Sequence, residues 1–292
     1  MNQHSFNLAI KSIRNDRQSG ASELARKCLS IVAESAYKTP ADNATELKQL
    51  LMQRAAQLAT IRPSMTPIEN LLNTWCSNVS LLPETELPVI RKQAAVAAND
   101  LIEISHQAAQ QCAIRAAEYI GPNQTLFTHS LSNTVMEVFK TLSSQGTQAI
   151  ITESRPLNEG HLLAKQLSEW HIPTTLITDA QMGLFITKAD AVLVGADTLL
   201  ADGSLINKAG TYPLALMAYE HSIPFYVCCE SFKQRTEAMG TPELEKMDIA
   251  ELQSSQLPGV TIQNIYFDIT PAHMISAWFD ENEIHQSRHH RP

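Results

Sequence analysis

Beyond Gly121-Pro122 the chain alternates short apolar runs with segments of helical spacing, and this alternation limits the possible folds more than any other feature. Thr125 to Thr128, Ala149 to Thr152, Pro173 to Ile177, Ala191 to Val194, Phe225 to Cys229 and Ile262 to Asp268 each read as a strand. Between them, Val135 to Leu142, Leu162 to Trp170, a short piece around Gln181 to Ile186, and Tyr212 to His221 read as helices. Strands separated by helices pair in parallel through crossovers. The pattern therefore predicts an α/β fold whose second part is a Rossmann-like, doubly wound, mostly parallel sheet. Ala191 to Val194, an apolar run bounded by Asp190 and Gly195, reads as a strand buried on both faces.

The first third is different. From Phe6 to about Tyr119 helical spacing dominates. Leu24, Cys28, Ile31 and Val32 fall on one helix face; Leu47, Leu50, Leu51 and Leu58 form a second, and Ile68, Leu71, Leu72 and Trp75 a third. Val89 to Ile120 is Ala-rich and reads as one long helix, with Pro40, Pro63, Pro67, Pro83 and Pro88 marking the breaks before it. The expected organisation is a helical N-terminal domain over 1–120 and an α/β domain over 121–292.

Composition removes several function classes. With 44% hydrophobic and 18% charged residues the chain is an ordinary globular one, and its net charge of -8 gives no bulk basic field for direct nucleic-acid binding. No apolar run approaches the roughly eighteen residues of a membrane span. The start, Met1-Asn2-Gln3-His4-Ser5-Phe6, lacks the charged opening and apolar core of a secretion signal. Cys28, Cys76, Cys112, Cys228 and Cys229 are odd in number and scattered, which suits a reducing, cytoplasmic compartment. Without a Cys-x-x-Cys no structural zinc is expected, and no cofactor motif is present: neither Gly-x-Gly-x-x-Gly nor a Walker A sequence comes after a strand. Adjacent Cys228 and Cys229 point to opposite strand faces, so no mutual disulfide is expected.

The polar segments after the strands carry the chemistry. Thr128-His129-Ser130, then Glu153-Ser154-Arg155-Pro156-Leu157-Asn158-Glu159-Gly160, then Asp197, Asp202, Asn207 and Lys208, then Glu230-Ser231-Phe232-Lys233, then Asp268-Ile269-Thr270-Pro271 all lie past strand carboxyl ends. Open α/β sheets bind ligands there. Arg155, Lys208 and Lys233 supply positive charge in an acidic chain, which favours an anionic small molecule such as a sugar phosphate or nucleotide. Asp202-Gly203 is a turn, and the helix opening at Gly210-Thr211 offers N–H groups to an anion. In the helical part, Arg17 with Gly20-Ala21-Ser22 suits a phosphate or a plain capped helix start. Arg62-Pro63-Ser64 reads as a helix stop with an exposed Arg. His285, His289 and His290 with Arg288 and Arg291 read as a disordered terminus rather than a metal tail, and Glu281 and Glu283 as a solvated end. Adjacent His129 and Ser130 point apart on a strand, which disfavours a nucleophile–base pair.

These residues also carry a resemblance. Thr128-His129-Ser130, Glu153-Ser154-Arg155-Pro156, Gly195-Ala196-Asp197, Asp202-Gly203, Asn207-Lys208-x-Gly210-Thr211-Tyr212, Pro224-Phe225-Tyr226-Val227 and Phe267-Asp268-Ile269-Thr270-Pro271 occur in one family's order. The sequence resembles the superfamily of the alpha, beta and delta subunits of initiation factor 2B, methylthioribose-1-phosphate isomerase and ribose-1,5-bisphosphate isomerase. The resemblance implies that the isomerases convert an aldose phosphate to a ketose phosphate with a Cys after Thr-His and the Asp of Gly-Ala-Asp. Asp197 matches the second group; Ser130 stands at the Cys position. A hydroxyl is a far weaker acid than a thiol and cannot simply replace it as a proton shuttle. Thr-His-Ser is the form of the factor's regulatory subunits, of which the alpha subunit binds sugar phosphates or nucleotides without turnover. The resemblance further implies ligand contacts at Arg17, Gly20, Ala21 and Arg62 and a homodimer paired through the C-terminal domain, while position past the strand ends and charge make Arg155, Asn207, Lys208 and Lys233 the expected ligand contacts there. Two functions stay open: a regulatory binder, and an isomerase using Asp197 as acid/base.

Overall fold

The structure is a computed structural model that describes residues 1–83, 86–255 and 257–286. The chain divides into two compact units, Met1–Gln107 and Ala108–Pro292.

The first unit is helical: α1 (Gln3–Asn15), α2 (Ala21–Lys38), α3 (Ala44–Ala59), α4 (Thr66–Ser80) and the first part of α5 (Leu87–Ile120). Asn2 and Asn43 start α1 and α3, each accepting a backbone N–H three residues on, at 2.8 and 2.9 Å. The predicted faces form the core: Leu24, Cys28, Val32, Leu47, Leu51, Leu58, Ile68, Leu71, Leu72 and Trp75 are buried. Trp75 reaches α5 with its indole N–H on Ala94 O at 2.9 Å. Arg54 is a buried charge of this unit; its guanidinium donates to Thr39 Oγ1 at 2.5 Å and Met1 O at 2.8 Å, and lies over the Phe6 ring. Burial lowers its pKa from the ordinary arginine value.

The second unit begins inside α5 rather than at Gly121. Cys112, Ala113, Ala116 and Ala117 share one hydrophobic core with Leu126, Ile151 and Leu193 of the sheet, so the last turns of the helix pack with this unit. Its strands are β1 (Thr125–Thr128), β2 (Gln148–Thr152), β3 (Thr174–Ile177), β4 (Ala191–Val194), β5 (Thr198–Leu199), β6 (Leu205–Lys208), β7 (Phe225–Cys228), β8 (Phe267–Thr270), β9 (Ala277–Phe279) and β10 (Ile284–Gln286). Helices α6 (Asn133–Leu142), α7 (Gly160–Glu169), α8 (Met182–Phe185) and α9 (Thr211–Glu220) lie between them.

Seven strands form the main sheet in the order β10-β9-β7-β4-β1-β2-β3, all parallel except β10. Alternate residues go to opposite faces. Leu126, Ile151, Ala191 and Leu193 join α6 and α7 on one face. Phe127, Ile150, Val192 and Val194 join α8 and α9 on the other. The fold is the α/β, doubly wound architecture that the alternation predicts.

Two predictions about strands need correction. The last strand, expected over Ile262 to Asp268 in the parallel sheet, is Phe267–Thr270, and it pairs antiparallel with β6. Asn207 and Lys208, expected in a loop, lie on β6 in a small sheet ordered β5-β6-β8. The cause is the Asp202-Gly203 turn: Gly203 takes a positive φ of 83°, and the chain folds back as a hairpin. The main sheet gains its sixth and seventh strands from the β9–β10 hairpin instead.

Candidate functional site

The polar loops of the second unit gather at the carboxyl ends of β1, β2, β3, β4 and β7. Three non-glycine residues there, Ser130, Ser154 and Asn158, have positive φ values of 69°, 61° and 56°. Such backbone is uncommon outside glycine and clusters at functional sites. Glycines permit the close approaches. A Cβ on Gly160 would lie 1.8 Å from Thr152 O, and one on Gly210 would lie 2.6 Å from the His129 ring.

His129 anchors the arrangement. Its imidazole is buried, with Nε2 2.9 Å from Ala209 O and Nδ1 2.6 Å from Thr152 Oγ1. A carbonyl only accepts, so Nε2 carries the proton and Nδ1 accepts from the threonine hydroxyl. Thr152 Oγ1 in turn lies 2.9 Å from Ser154 Oγ, which accepts the Ser130 N–H at 2.8 Å. Burial pushes the His129 pKa down, so the ring is neutral. His129 does not touch the Ser130 hydroxyl, which donates to Glu159 Oε1 at 3.1 Å.

The same Glu159 oxygen meets Lys208 Nζ at 2.5 Å, and the ammonium sits 4.4 Å from the centre of the Tyr266 ring. Glu159 Oε2 is buried with no hydrogen-bond donor among the described residues. Lys233 is paired as well, its Nζ 2.6 Å from Glu230 Oε2, both side chains buried. Thr134 Oγ1 donates to the other Glu230 oxygen at 2.8 Å. Burial works against both charges. The attraction of Lys233 outweighs it and holds Glu230 below the usual carboxylate range. Glu230 and, more weakly, Asp197 hold Lys233 above the usual lysine value. Lys208 and Lys233 thus bring their own carboxylates, and the simple cationic pocket expected from the sequence is instead a set of ion pairs.

Asp197 is half-buried past β4, and its N–H bonds to Ile206 O at 3.1 Å, where the β5–β6 hairpin begins. Asn207 is buried and donates to Thr211 Oγ1 at 3.0 Å, which ties β6 to the start of α9. Arg155 is exposed; its guanidinium donates to Leu252 O at 3.2 Å and its N–H to the Asp179 carboxylate at 2.7 Å. The loop that carries Arg155 also carries Glu159, whose carboxylate meets both the Ser130 hydroxyl and Lys208 of β6.

The N–H groups at the start of α9, expected to await an anion, are taken. Asp268 on β8 accepts from Gly210 N at 2.7 Å and Tyr212 N at 3.1 Å. Burial pushes its pKa up to about 6 against the pull of those N–H groups. Glu281, expected in a solvated end, accepts the Ser231 N–H at 2.9 Å and is also bonded by the Ser231 hydroxyl. His285 bonds Asp280 at 2.8 Å and stacks on Trp278, whereas Arg288, His289, His290 and Arg291 lie outside the described residues. Among the described residues no group of three or more His, Cys, Asp or Glu is arranged to hold a metal, and no helix is long and apolar enough to cross a membrane.

In the helical unit, Arg62 is buried, not exposed, and its guanidinium donates to Asp16 O at 3.1 Å. Arg17 donates to Arg14 O at 2.7 Å, and Gly20 and Ala21 open α2 without a side-chain cap. Burial alone would raise the Asp16 pKa. The ammonium of Lys27 at 2.8 Å and the N–H groups of Ser19 and Gln18 hold it at about 2 instead. The Arg17 and Arg62 segments are therefore one structural knot, a link their separation in sequence did not reveal.

Sequence reasoning missed Glu159, Glu230, Thr152 and Asp268 as partners. Their only signal was position, since each lies in or beside a polar loop at a strand's carboxyl end.

These features put the chain in the class of Rossmann-like α/β proteins whose polar side chains gather where such sheets hold ligands. The chain belongs to the initiation factor 2 subunit family (IF-2B), which it matches over residues 17–282. It is 34% identical over 267 residues to a Pyrococcus horikoshii protein described as translation initiation factor eIF-2B subunit 2-like, covering 90% of this chain and 89% of that protein. It is 30% identical over 277 residues to the ribose 1,5-bisphosphate isomerase of Methanocaldococcus jannaschii, covering 93% and 88%. The crystal structure of the Pyrococcus horikoshii translation initiation factor eIF-2B matches with a TM-score of 0.84 at 30% identity, covering 99% of this chain and 98% of that one.

Proposed function

We propose that the protein binds a phosphorylated sugar or a nucleotide at the carboxyl ends of its strands, as a regulatory protein without classical isomerase turnover. The observation that carries this reading is Ser130. The position where the isomerases hold a thiol has a hydroxyl, and that hydroxyl is already engaged by Glu159, itself bound to Lys208. Arg155, Asn207 and Lys208 are the proposed ligand contacts, with Lys233 acting through its charge on Asp197. Arg17, Gly20, Ala21 and Arg62 are the proposed phosphate contacts of the helical domain. The α/β domain is proposed to carry dimerisation, and the cytoplasm is the proposed compartment.

A second reading is supported by Asp197 and by the relatives named as isomerases. In it, the protein is an aldose–ketose isomerase of the ribose 1,5-bisphosphate type with Asp197 as acid/base. A ligand panel separates the two. Ribose 1,5-bisphosphate, methylthioribose 1-phosphate and nucleoside monophosphates are each incubated with the protein, and thermal shift and product are followed together. Stabilisation without product is expected. Product formation that disappears in Asp197→Asn would establish the second reading. Ser130→Cys is expected to gain measurable isomerase activity if the rest of the pocket is intact.

A further inference from the structure

Helix α5 buries one face in the helical unit and leaves another open. Ile90, Ala94, Ala98, Leu101 and Ser105 are buried at helical spacing. Away from that face Val89, Val96 and Ile104 are 41%, 43% and 54% exposed, and Leu81 ahead of the helix is 83% exposed. Singly such residues mean little, but these line up. Leu82, Pro88, Val89, Val96 and Ala97 line a groove of about 700 Å³ whose charged residues are Lys92 and Asp100. Gln93, in the groove wall, has its Oε1 closed off from solvent with no hydrogen-bond donor among the described residues. A buried acceptor of that kind calls for a donor.

We propose that this face is an interface between two copies of the chain, formed by antiparallel pairing of α5 with α5 of a second copy. The charges select this occupant. In the groove Lys92 lies four residues before Val96 and Asp100 four residues after it, with exposed Glu103 further along. Antiparallel pairing about a two-fold axis near Val96 sets Lys92 of each copy against Asp100 of the other, twice over. Parallel pairing would set like on like. The antiparallel arrangement also opposes the two helix dipoles favourably. Such an interface is isologous, using one patch on both copies. It lies on a different unit from the dimerisation surface proposed for the α/β domain. A chain with two isologous interfaces builds even-numbered assemblies larger than a dimer. One helix pair falls short of the roughly 1,200–2,000 Å² of a stable interface, so the contact is weak alone.

The test uses the full chain. Val96→Cys, oxidised at micromolar concentration, is expected to give a disulfide-linked pair of twice the chain mass. Wild type and Leu8→Cys, exposed on α1, are expected not to. In sedimentation equilibrium, Lys92→Glu is expected to weaken association roughly tenfold, and so is the pair Asp100→Lys with Glu103→Lys. The triple variant carrying all three changes restores opposite charges and is expected to restore association. Thermal unfolding of each variant, unchanged from wild type, checks that the fold survives. The proposal is overturned if Val96→Cys crosslinks no better than Leu8→Cys, or if the charge variants associate like wild type. Loss of association in the triple variant would equally overturn the antiparallel pairing.

Discussion

Among single side chains, the cations at the strand ends are held rather than free. Lys233 and Glu230 are both buried, and each favours the charged form of the other. Removing one partner strands the other in a dry site. Lys233→Met is therefore expected to cost about 3–5 kcal/mol of stability, read as a lower urea midpoint at unchanged slope. Lys208→Met breaks a pair that keeps some contact with water, so its effect on stability is expected to be smaller and its effect on ligand binding larger. Gly160 makes a prediction of another kind. Any side chain there meets the Thr152 carbonyl. Gly160→Ala is expected to destabilise by about 1–3 kcal/mol and to shift the Glu159 carboxylate away from Lys208, measured as lowered Tm and weaker binding together.

Secondary-structure elements show what was legible in the sequence and what was not. Strand and helix positions in the main sheet derive from local apolar runs and helical spacing, so Ala191 to Val194 and Phe225 to Cys228 were readable to within a residue or so. The β6–β8 pairing was not readable, because antiparallel register between Lys208 and Phe267 depends on a partner far along the chain. The same limit hid the pairing of Glu159 with Lys208 and made the start of α9 look open. In fact Asp268 closes it across two elements, and this has a pH consequence. Its folded pKa of about 6 lies above the ordinary 3.8, so the folded state holds that proton more tightly than the unfolded chain. The resulting stabilisation is complete below the unfolded value and is lost as pH rises through about 6. Relative to Asp268→Asn, the wild type is expected to lose about 2–3 kcal/mol between pH 4 and pH 7.5. Paired denaturation curves across that range check it; a constant difference between the two proteins would refute it.

For the molecule as a whole, one fold serves relatives named as translation factors and relatives named as isomerases. Fold alone does not choose between them; the site must. Here Asp197 is half-buried past β4, Ser130 follows β1, and Glu159 of the β2 loop joins the Ser130 hydroxyl to Lys208 of β6. On the proposed function, a ligand phosphate or hydroxyl entering here would compete with Glu159 for Lys208, with the Ser130 hydroxyl beside it. Phosphorus NMR of the protein mixed with ribose 1,5-bisphosphate, followed over hours, reads binding and turnover in one experiment. Shifted, broadened phosphate resonances are expected that return to their free positions in Lys208→Met, with no new phosphate signal appearing. A growing ketose-phosphate signal that vanishes in Asp197→Asn would show instead that the protein is an isomerase.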